Sequence, residues 1–144
     1  MHLALAVLLL IIDQASKLWV QRTLPLGEPH AILPPWLYFT HVENQGAAFS
    51  LFAGQRWLFV TAATGFVLLA WANRAIVARQ DRMFRWGLAL GLAGAMGNLI
   101  DRVRQGSVID FLDLRLFPVF NIADSCIVIG CGLILWSQLQ GPTS

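Results

Sequence analysis

Four long apolar runs, separated by polar connections, restrict most strongly how this chain can fold. The runs cover residues 2–20, 57–73, 84–101 and 118–139. The chain is 57% hydrophobic and only 12% charged, whereas soluble domains carry about 25% charged residues. The pattern therefore predicts an all-α membrane protein, in which each run forms one transmembrane helix of a single domain, residues 1–144.

The first run lies close to the start of the chain, where a cleaved signal peptide is an alternative to a permanent helix. No basic residue precedes this run and no small-x-small cleavage site follows it cleanly, so a retained helix is expected. Asp13 and Lys17 stand four residues apart with the carboxylate first, which favours an ion pair on one helix face. That pair would either fix the helix in place or take a direct part in chemistry.

The first connection, residues 21–56, is rich in proline, glycine and aromatic residues, and its prolines argue against a helix through its first half. The β-prone segment 36–42 predicts a strand, and residues 46–49 are expected to continue as a second one. Together they predict a small sheet lying on the membrane face. Asn44 and Gly46 either offer amide groups to an extended peptide or form an ordinary turn.

The distribution of charge predicts the orientation of the four spans. The connection 74–83 is rich in arginine, and the positive-inside rule assigns it to the cytoplasm. Both termini are then cytoplasmic, and the connections 21–56 and 102–117 face outward. The formal net charge of +2 is too small to suggest nucleic-acid binding.

Two further patterns concern packing and surface. Glycines three or four residues apart in the third run predict the close approach of another helix. These glycines are Gly87, Gly91, Gly94 and Gly97. Asp113 and Arg115, in the second outward connection, are expected to form a solvated surface pair.

Four aspartates gather on the outward side in this topology. Asp13 lies in the outer half of the first span, Asp101 closes the third, and Asp110 lies in the second outward connection. Asp124 lies six residues into the fourth span, counted from Pro118. A carboxylate in such a segment costs about 2.5–3.5 kcal/mol on insertion scales, which makes it a functional hypothesis by default. Asp110 and Asp124 are predicted to meet as an acid/base pair at the membrane surface.

Such a pair has a definite chemistry. Two carboxylates held close together cannot both ionise easily, so one keeps a proton. The ionised member can take a proton from water while the protonated member polarises a carbonyl, which hydrolyses a peptide without a covalent intermediate. No Ser/His or Cys/His set and no H-E-x-x-H zinc pattern competes. A proton-coupled transporter, the second hypothesis, would spread polar groups across the bilayer in repeated halves. A non-catalytic assembly subunit, the third, has little use for such acids.

Polar neighbours of the two acids suit supporting roles. Asn121 and Asp124 are three residues apart on one helix face, so the amide would orient the carboxylate or the substrate. Asn98 and Arg102 are four apart, again on one face. Arg102 would hold an anionic or carbonyl group, or neutralise Asp101.

Five motifs together resemble those of the lipoprotein signal peptidases, the signal peptidase II family. They are DQASK at 13–17, NQGAAFS at 44–50, GNLIDR at 97–102, VIDFLD at 108–113 and FNIAD at 120–124, in the family's order and spacing. The resemblance implies a bacterial inner-membrane aspartyl protease with four transmembrane helices and a small extracytoplasmic β-cradle. Such an enzyme removes the signal peptide of diacylglyceryl-modified prolipoproteins, on the N-terminal side of the lipidated cysteine.

The resemblance also implies a set of site residues and partners. It places the catalytic pair on Asp110 and Asp124, with no metal or other cofactor. The other positions that match functional residues of the family are Asp13, Lys17, Asn44, Gly46, Asn98, Asp101, Arg102, Asn121 and Ala123. The implied partners are the prolipoprotein, membrane lipids and globomycin-type peptide inhibitors, and a monomer is expected.

Overall fold

The computed structural model describes residues 2–46 and 51–140, which form helices and a three-stranded antiparallel sheet. The elements in chain order are α1 (His2–Thr23), β1 (Pro29–Leu33), β2 (Leu37–Asn44), α2 (Arg56–Ala72), α3 (Arg74–Ala78), α4 (Arg82–Gln105), β3 (Val108–Asp113) and α5 (Ile122–Gln140). The chain is thus mostly helical, and each predicted apolar run contains one long helix.

Helix α4 is the centre of the bundle and contacts α1, α2 and α5. Its buried face consists largely of glycine and alanine, so the backbone of α5 comes very close. A Cβ atom built on Gly87 would lie 2.6 Å from the carbonyl oxygen of Gly130, and one on Gly130 would lie 2.8 Å from the nitrogen of Gly91. The predicted role of the glycines in the third run is therefore confirmed for the packing of α4 against α5.

Local sequence determines both ends of α4. At its start, the side chain of Asp81 accepts hydrogen bonds from the backbone N–H groups of Met83 (2.7 Å) and Phe84 (2.9 Å), as an N-cap aspartate does. At its end, Gly106 adopts a left-handed conformation with φ of 86°, which costs glycine little. The chain then turns directly into β3.

The sheet has the strand order β1-β2-β3 and lies over the ends of α1 and α4. Strand β2 confirms the strand predicted at residues 36–42, whereas β1 and β3 were not predicted. The second strand predicted at residues 46–49 falls almost wholly outside the described residues. In the register of β2 with β3, Val42 faces Asp110.

A small apolar core joins the sheet to the bundle. Val20 of α1 and Ile109 of β3 are completely buried, and the ring of Phe111 packs edge-to-face on that of Phe39 at 5.6 Å between centroids. Many large apolar side chains elsewhere are exposed, including Leu69 on α2 and Val128 on α5. Such an apolar surface is unfavourable in water, so it indicates that the helices are surrounded by an apolar medium.

Among the described helices, α1 and α5 are long and apolar enough to cross a membrane, and α2 is apolar but shorter at 17 residues. Together with their exposed apolar faces, these helices indicate a membrane protein.

The start of the last helix differs from the prediction. A helix was expected from Pro118, but α5 begins at Ile122 because the preceding residues pair with β3 instead. The backbone N–H of Phe120 donates to the carbonyl of Leu112 at 3.1 Å, and Leu112 donates back at 2.8 Å. Asp124 consequently lies in the first turn of α5 rather than six residues along it.

Candidate active site

Asp110 and Asp124, the aspartate pair, meet where β3 approaches the first turn of α5. Asp110 is on an interior position of β3 and only 2% exposed, whereas Asp124 is partly buried. Both carboxylates line one cavity of about 700 Å³. The structure therefore brings the two predicted acids together, although they come from different elements.

Asn121 joins the two carboxylates through a short network. Its side-chain Nδ2 donates to Oδ1 of Asp110 at 2.7 Å. Its Oδ1 accepts from the backbone N–H of Asp124 at 2.8 Å, and its own backbone N–H donates to Oδ2 of Asp124 at 3.3 Å. Because Asn121 is fully buried and uses both ends of its amide, it positions the two acids relative to each other.

Two further asparagines each donate a hydrogen bond to the carboxylate oxygen that Asn121 leaves free, one on Asp110 and one on Asp124. Asn44 donates from Nδ2 to Oδ2 of Asp110 at 2.9 Å, and its Oδ1 accepts from the N–H of Gly46 at 2.9 Å. Asn98 donates from Nδ2 to Oδ1 of Asp124 at 2.7 Å. The turn expected from Asn44 and Gly46 is thus present, while the Asn44 amide is directed at the acid.

The lysine cluster lies next to the aspartate pair and consists of Asp13, Lys17 and Asp101. Lys17 is the only lysine of the chain, and its Nζ lies 2.9 Å from Oδ2 of Asp13 and 2.8 Å from Oδ2 of Asp101. Its Nζ also donates to Oδ1 of Asn98 at 3.0 Å. The predicted Asp13–Lys17 pair therefore forms, and Asn98 connects the cluster to Asp124 by hydrogen bonds.

Asp13 also positions the start of α5 directly. Its Oδ1 accepts the backbone N–H of Ala123 at 2.8 Å, and a carboxylate is favourable at a helix N-terminus. A Cβ atom on Gly97 would lie 2.5 Å from Oδ2 of Asp13, so this glycine makes room for the carboxylate. Ala123 itself is only 1% exposed, and its methyl group faces Gly97.

Gln14 belongs to the same network but was not singled out from the sequence. Its Nε2 donates to Oδ2 of Asp13 at 3.2 Å, to Oδ1 of Asp101 at 3.1 Å and to the carbonyl of Gly97 at 3.1 Å. The sequence does contain a signal for this residue, because Gln14 is a second polar residue next to Asp13 in an otherwise apolar helix.

Arg102 reaches the site from the end of α4. Its Nη2 donates to the carbonyl oxygen of Gly46 at 3.0 Å, and its guanidinium lies 4.4 Å from the centroid of the Phe59 ring. Of the two roles considered for Arg102, binding a carbonyl matches this geometry. The ion pair of Asp101 in the described structure is formed with Lys17, which Asp101 shares with Asp13, and not with Arg102.

The expectation of a solvated pair at Asp113 and Arg115 is only half correct. Asp113 is 6% exposed and accepts a hydrogen bond from the Thr40 hydroxyl at 2.7 Å. Arg115 is the exposed partner, 3.5 Å away. The carboxylate is buried because β3 pairs with β2, a pairing for which the sequence carries no local signal.

Burial determines the protonation of the aspartate pair. Removal from water and, second, the neighbouring charge of Asp124 raise the pKa of Asp110 to about 7, although the hydrogen bonds from Asn44 and Asn121 act to lower it. Near neutral pH this carboxyl can therefore keep a proton. Within residues 2–46 and 51–140, no cluster of three His, Cys, Asp or Glu side chains is suited to hold a metal ion.

The cavity beside the pair is polar at one end and apolar along the rest. Asn44, Asn98 and Arg102 line the polar end with the two acids, while side chains such as Phe117 and Val128 line the remainder. A peptide bond placed at the polar end would therefore lie against a possible general acid and general base.

The fold and the site define a class: a helical membrane protein that carries a carboxylate pair beside an apolar cavity. Comparison with known proteins is consistent with this class. The family model for signal peptidase (SPase) II, Peptidase_A8, matches residues 5–140, and the chain belongs to that family. It is accordingly a protease.

Its relatives are similar over nearly their whole length. The lipoprotein signal peptidase of Pelotomaculum thermopropionicum is 40% identical over 131 residues, 91% of this chain and 86% of the relative. That of Nostoc sp. strain PCC 7120 is 47% identical over 139 residues, 92% and 85% of the two chains. Two solved structures described as bacterial membrane enzymes are each 32% identical. Their TM-scores are 0.91 (96% of this chain, 87% of the other) and 0.88 (98% and 94%).

Proposed function

We propose that this protein is an aspartyl endopeptidase of the bacterial inner membrane. Its substrate is a prolipoprotein that already carries a diacylglyceryl group, and it cleaves on the N-terminal side of the lipidated cysteine. Asp110 and Asp124 activate the attacking water. The observation that carries this proposal is the single network in which Asn121 joins both carboxylates beside a cavity with an apolar wall.

In the proposed reaction, the aspartate pair begins with one proton, on Asp110. Ionised Asp124 takes a proton from water, the water oxygen attacks the scissile carbonyl carbon, and Asp110 gives its proton to the carbonyl oxygen. The resulting diol collapses when Asp124 gives its proton to the departing amine nitrogen and Asp110 takes a proton from a diol hydroxyl, which breaks the C–N bond and restores the starting protonation of the pair. The products are a signal peptide with a new carboxyl group and a lipoprotein whose lipidated cysteine has a free amine.

Neighbouring residues support this reaction without exchanging protons with the substrate. Asn44, Asn98 and Asn121 hold the carboxylates, and the carbonyl contact of Arg102 suggests that it can also bind a substrate carbonyl. We propose that Asp13, Lys17 and Asp101 keep the first turn of α5 in place, that Gly46 presents its carbonyl to Arg102, and that the small Ala123 side chain allows α5 to pack closely against Gly97 of α4.

We also propose a four-span topology as a single domain, with helices α1, α2, α4 and α5 in the bilayer and both termini in the cytoplasm. The sheet then forms a cradle on the periplasmic or external face, where the aspartate pair meets its lipid-anchored substrate. The apolar part of the cavity would receive the signal peptide or the acyl chains, and globomycin-type peptides would compete for it. A monomer suffices, because every residue of this network comes from one chain.

The experiment uses purified full-length protein in lipid nanodiscs with a prolipoprotein in two forms, diacylglyceryl-modified and unmodified. Mass spectrometry of the products is expected to show one cut, immediately before the lipidated cysteine, in the modified form alone. A cut at another position, or equal cleavage of both forms, would contradict the proposed specificity.

A further inference from the structure

A second cavity lies at the other end of the bundle from the aspartate pair, between α1, α2 and α4. Its volume is about 590 Å³, and apolar side chains such as Leu10 and Leu92 form most of its wall. Arg74 and Arg85 are the charged residues that line it, so we name it the arginine-lined cavity. We propose that it binds one anionic phospholipid, with an acyl chain in the cavity and the phosphate at the two arginines.

The depth of the cavity matches one leaflet of a bilayer. Along α4 it extends from Arg85 to Met96, which the helical rise converts to roughly 16 Å. The hydrocarbon core of a bilayer is about 30 Å thick, so an acyl chain of one leaflet spans about half of it. An opening toward the lipid, rather than toward water, would admit such a chain from the side.

The depth of the arginines matches that of a lipid headgroup. The guanidinium of Arg74 lies 4.9 Å from the centroid of the Trp71 ring, and Trp71 is 67% exposed. Tryptophan is enriched where headgroups meet the hydrocarbon core. Arg85 carries a buried Nε atom that has no hydrogen-bond partner among the described residues. A phosphate oxygen is a suitable acceptor for such a donor.

Within the described residues, no carboxylate forms an ion pair at this end of the bundle. The ion pairs found within the described part of the chain involve Lys17 and Arg115, both remote from the cavity. Asp81, the one acid nearby in the sequence, caps α4 and also accepts the hydroxyl of Ser137. Among residues 2–46 and 51–140, no carboxylate forms an ion pair with Arg74 or Arg85, so an anionic group of another molecule can complement their charge.

These observations favour an anionic phospholipid over other occupants. A free phosphate would bind the arginines but leave the apolar part of the cavity empty. A neutral lipid would fill the apolar part but leave the charge of the two arginines uncompensated. This proposal does not depend on the proposed cleavage reaction, because the cavity contains no member of the aspartate pair.

The test is competitive lipid binding, measured by native mass spectrometry on the purified full chain. Phosphatidylglycerol and phosphatidylcholine with identical acyl chains are supplied in equal amounts. Wild type is expected to retain phosphatidylglycerol over phosphatidylcholine by about 30-fold, as two arginines near a headgroup imply. The Arg74→Gln/Arg85→Gln variant should show nearly equal retention of the two lipids.

The matched control removes the same charge from the same end of the bundle. Arg79 and Arg82 are exposed and do not line the cavity, so Arg79→Gln/Arg82→Gln should keep the preference. Ala6→Phe, which fills the cavity from α1 without altering charge, should lose the bound lipid while prolipoprotein cleavage continues. Equal losses in both arginine variants, displacement by soluble glycerol phosphate, or no preference in wild type would each overturn the proposal.

Discussion

Asp110→Asn and Asp124→Asn are each expected to reduce cleavage of the lipidated prolipoprotein by at least about a hundredfold, the usual contribution of a general acid or base. Each substitution keeps the size of the side chain and part of its hydrogen bonding. Asp124→Asn removes the group that takes the proton from water, and Asp110→Asn removes the group that protonates the carbonyl oxygen. Initial rates under single-turnover conditions measure the loss.

The folded state of these variants must be shown independently. An asparagine keeps one of the two accepting oxygens of each aspartate, so the variants should fold but unfold at a somewhat lower temperature than wild type. Glu28→Gln, an acid-to-amide change at an exposed position of the first connection, is the matched control and should cleave like wild type. Full activity in either aspartate variant would remove that residue from the mechanism.

Lys17→Met is expected to cause the largest loss of stability in the chain, about 3–5 kcal/mol, which is typical when one partner of a buried ion pair is removed. The side chains of Asp13 and Asp101 are only 2% and 4% exposed, and Lys17 is the cation that contacts both. Methionine fills a similar volume but leaves two buried carboxylates facing each other. Because Asp13 accepts the N–H of Ala123, the start of α5 should loosen as well.

Thermal unfolding in detergent measures this effect. Arg22→Met is the matched control, since Arg22 lies exposed near the end of the same helix. Adding Asp101→Asn to Lys17→Met removes one of the uncompensated charges and should restore part of the lost stability. A Lys17→Met protein as stable as wild type would show that the lysine cluster is not a structural centre.

Much of the site could be predicted from sequence because its signals are local. The four-residue spacing of Asp13 and Lys17 predicts their contact within one helix, and the glycines of the third run predict close helix packing. Asp110 and Asp124 stand in or next to apolar runs, and this position made them candidate functional residues. The motifs that resemble signal peptidase II cover the same positions, and the family match confirms the class of protein.

The remaining features depend on contacts between distant parts of the chain. Strand β3 is defined by its pairing with β2, which is about 66 residues away at the hydrogen bond between Asn44 and Asp110. Because Phe120 pairs with Leu112, α5 begins only at Ile122, although Pro118 would suit the first turn of a helix. Local propensity contains neither contact, and for the same reason the partner considered for Asp101 was its neighbour Arg102, whereas the structure pairs Asp101 with the distant Lys17.

The central claim is that the aspartate pair acts with one shared proton, and the pH profile of kcat/KM tests it most directly. The raised pKa of Asp110, about 7, means that its proton is present below that pH and lost above it. Above pH 7 both carboxylates are ionised and no acid remains, so activity should fall by about tenfold per pH unit. At lower pH a second limb should appear as the ionised member gains a proton. Both limbs belong to the pair rather than to one residue.

Cleavage rates of the lipidated prolipoprotein should therefore follow a bell-shaped curve whose alkaline limb lies near pH 7, with the protein folded throughout. A rate that stays constant from well below to well above pH 7 would contradict a shared proton, and with it the mechanism proposed for Asp110 and Asp124.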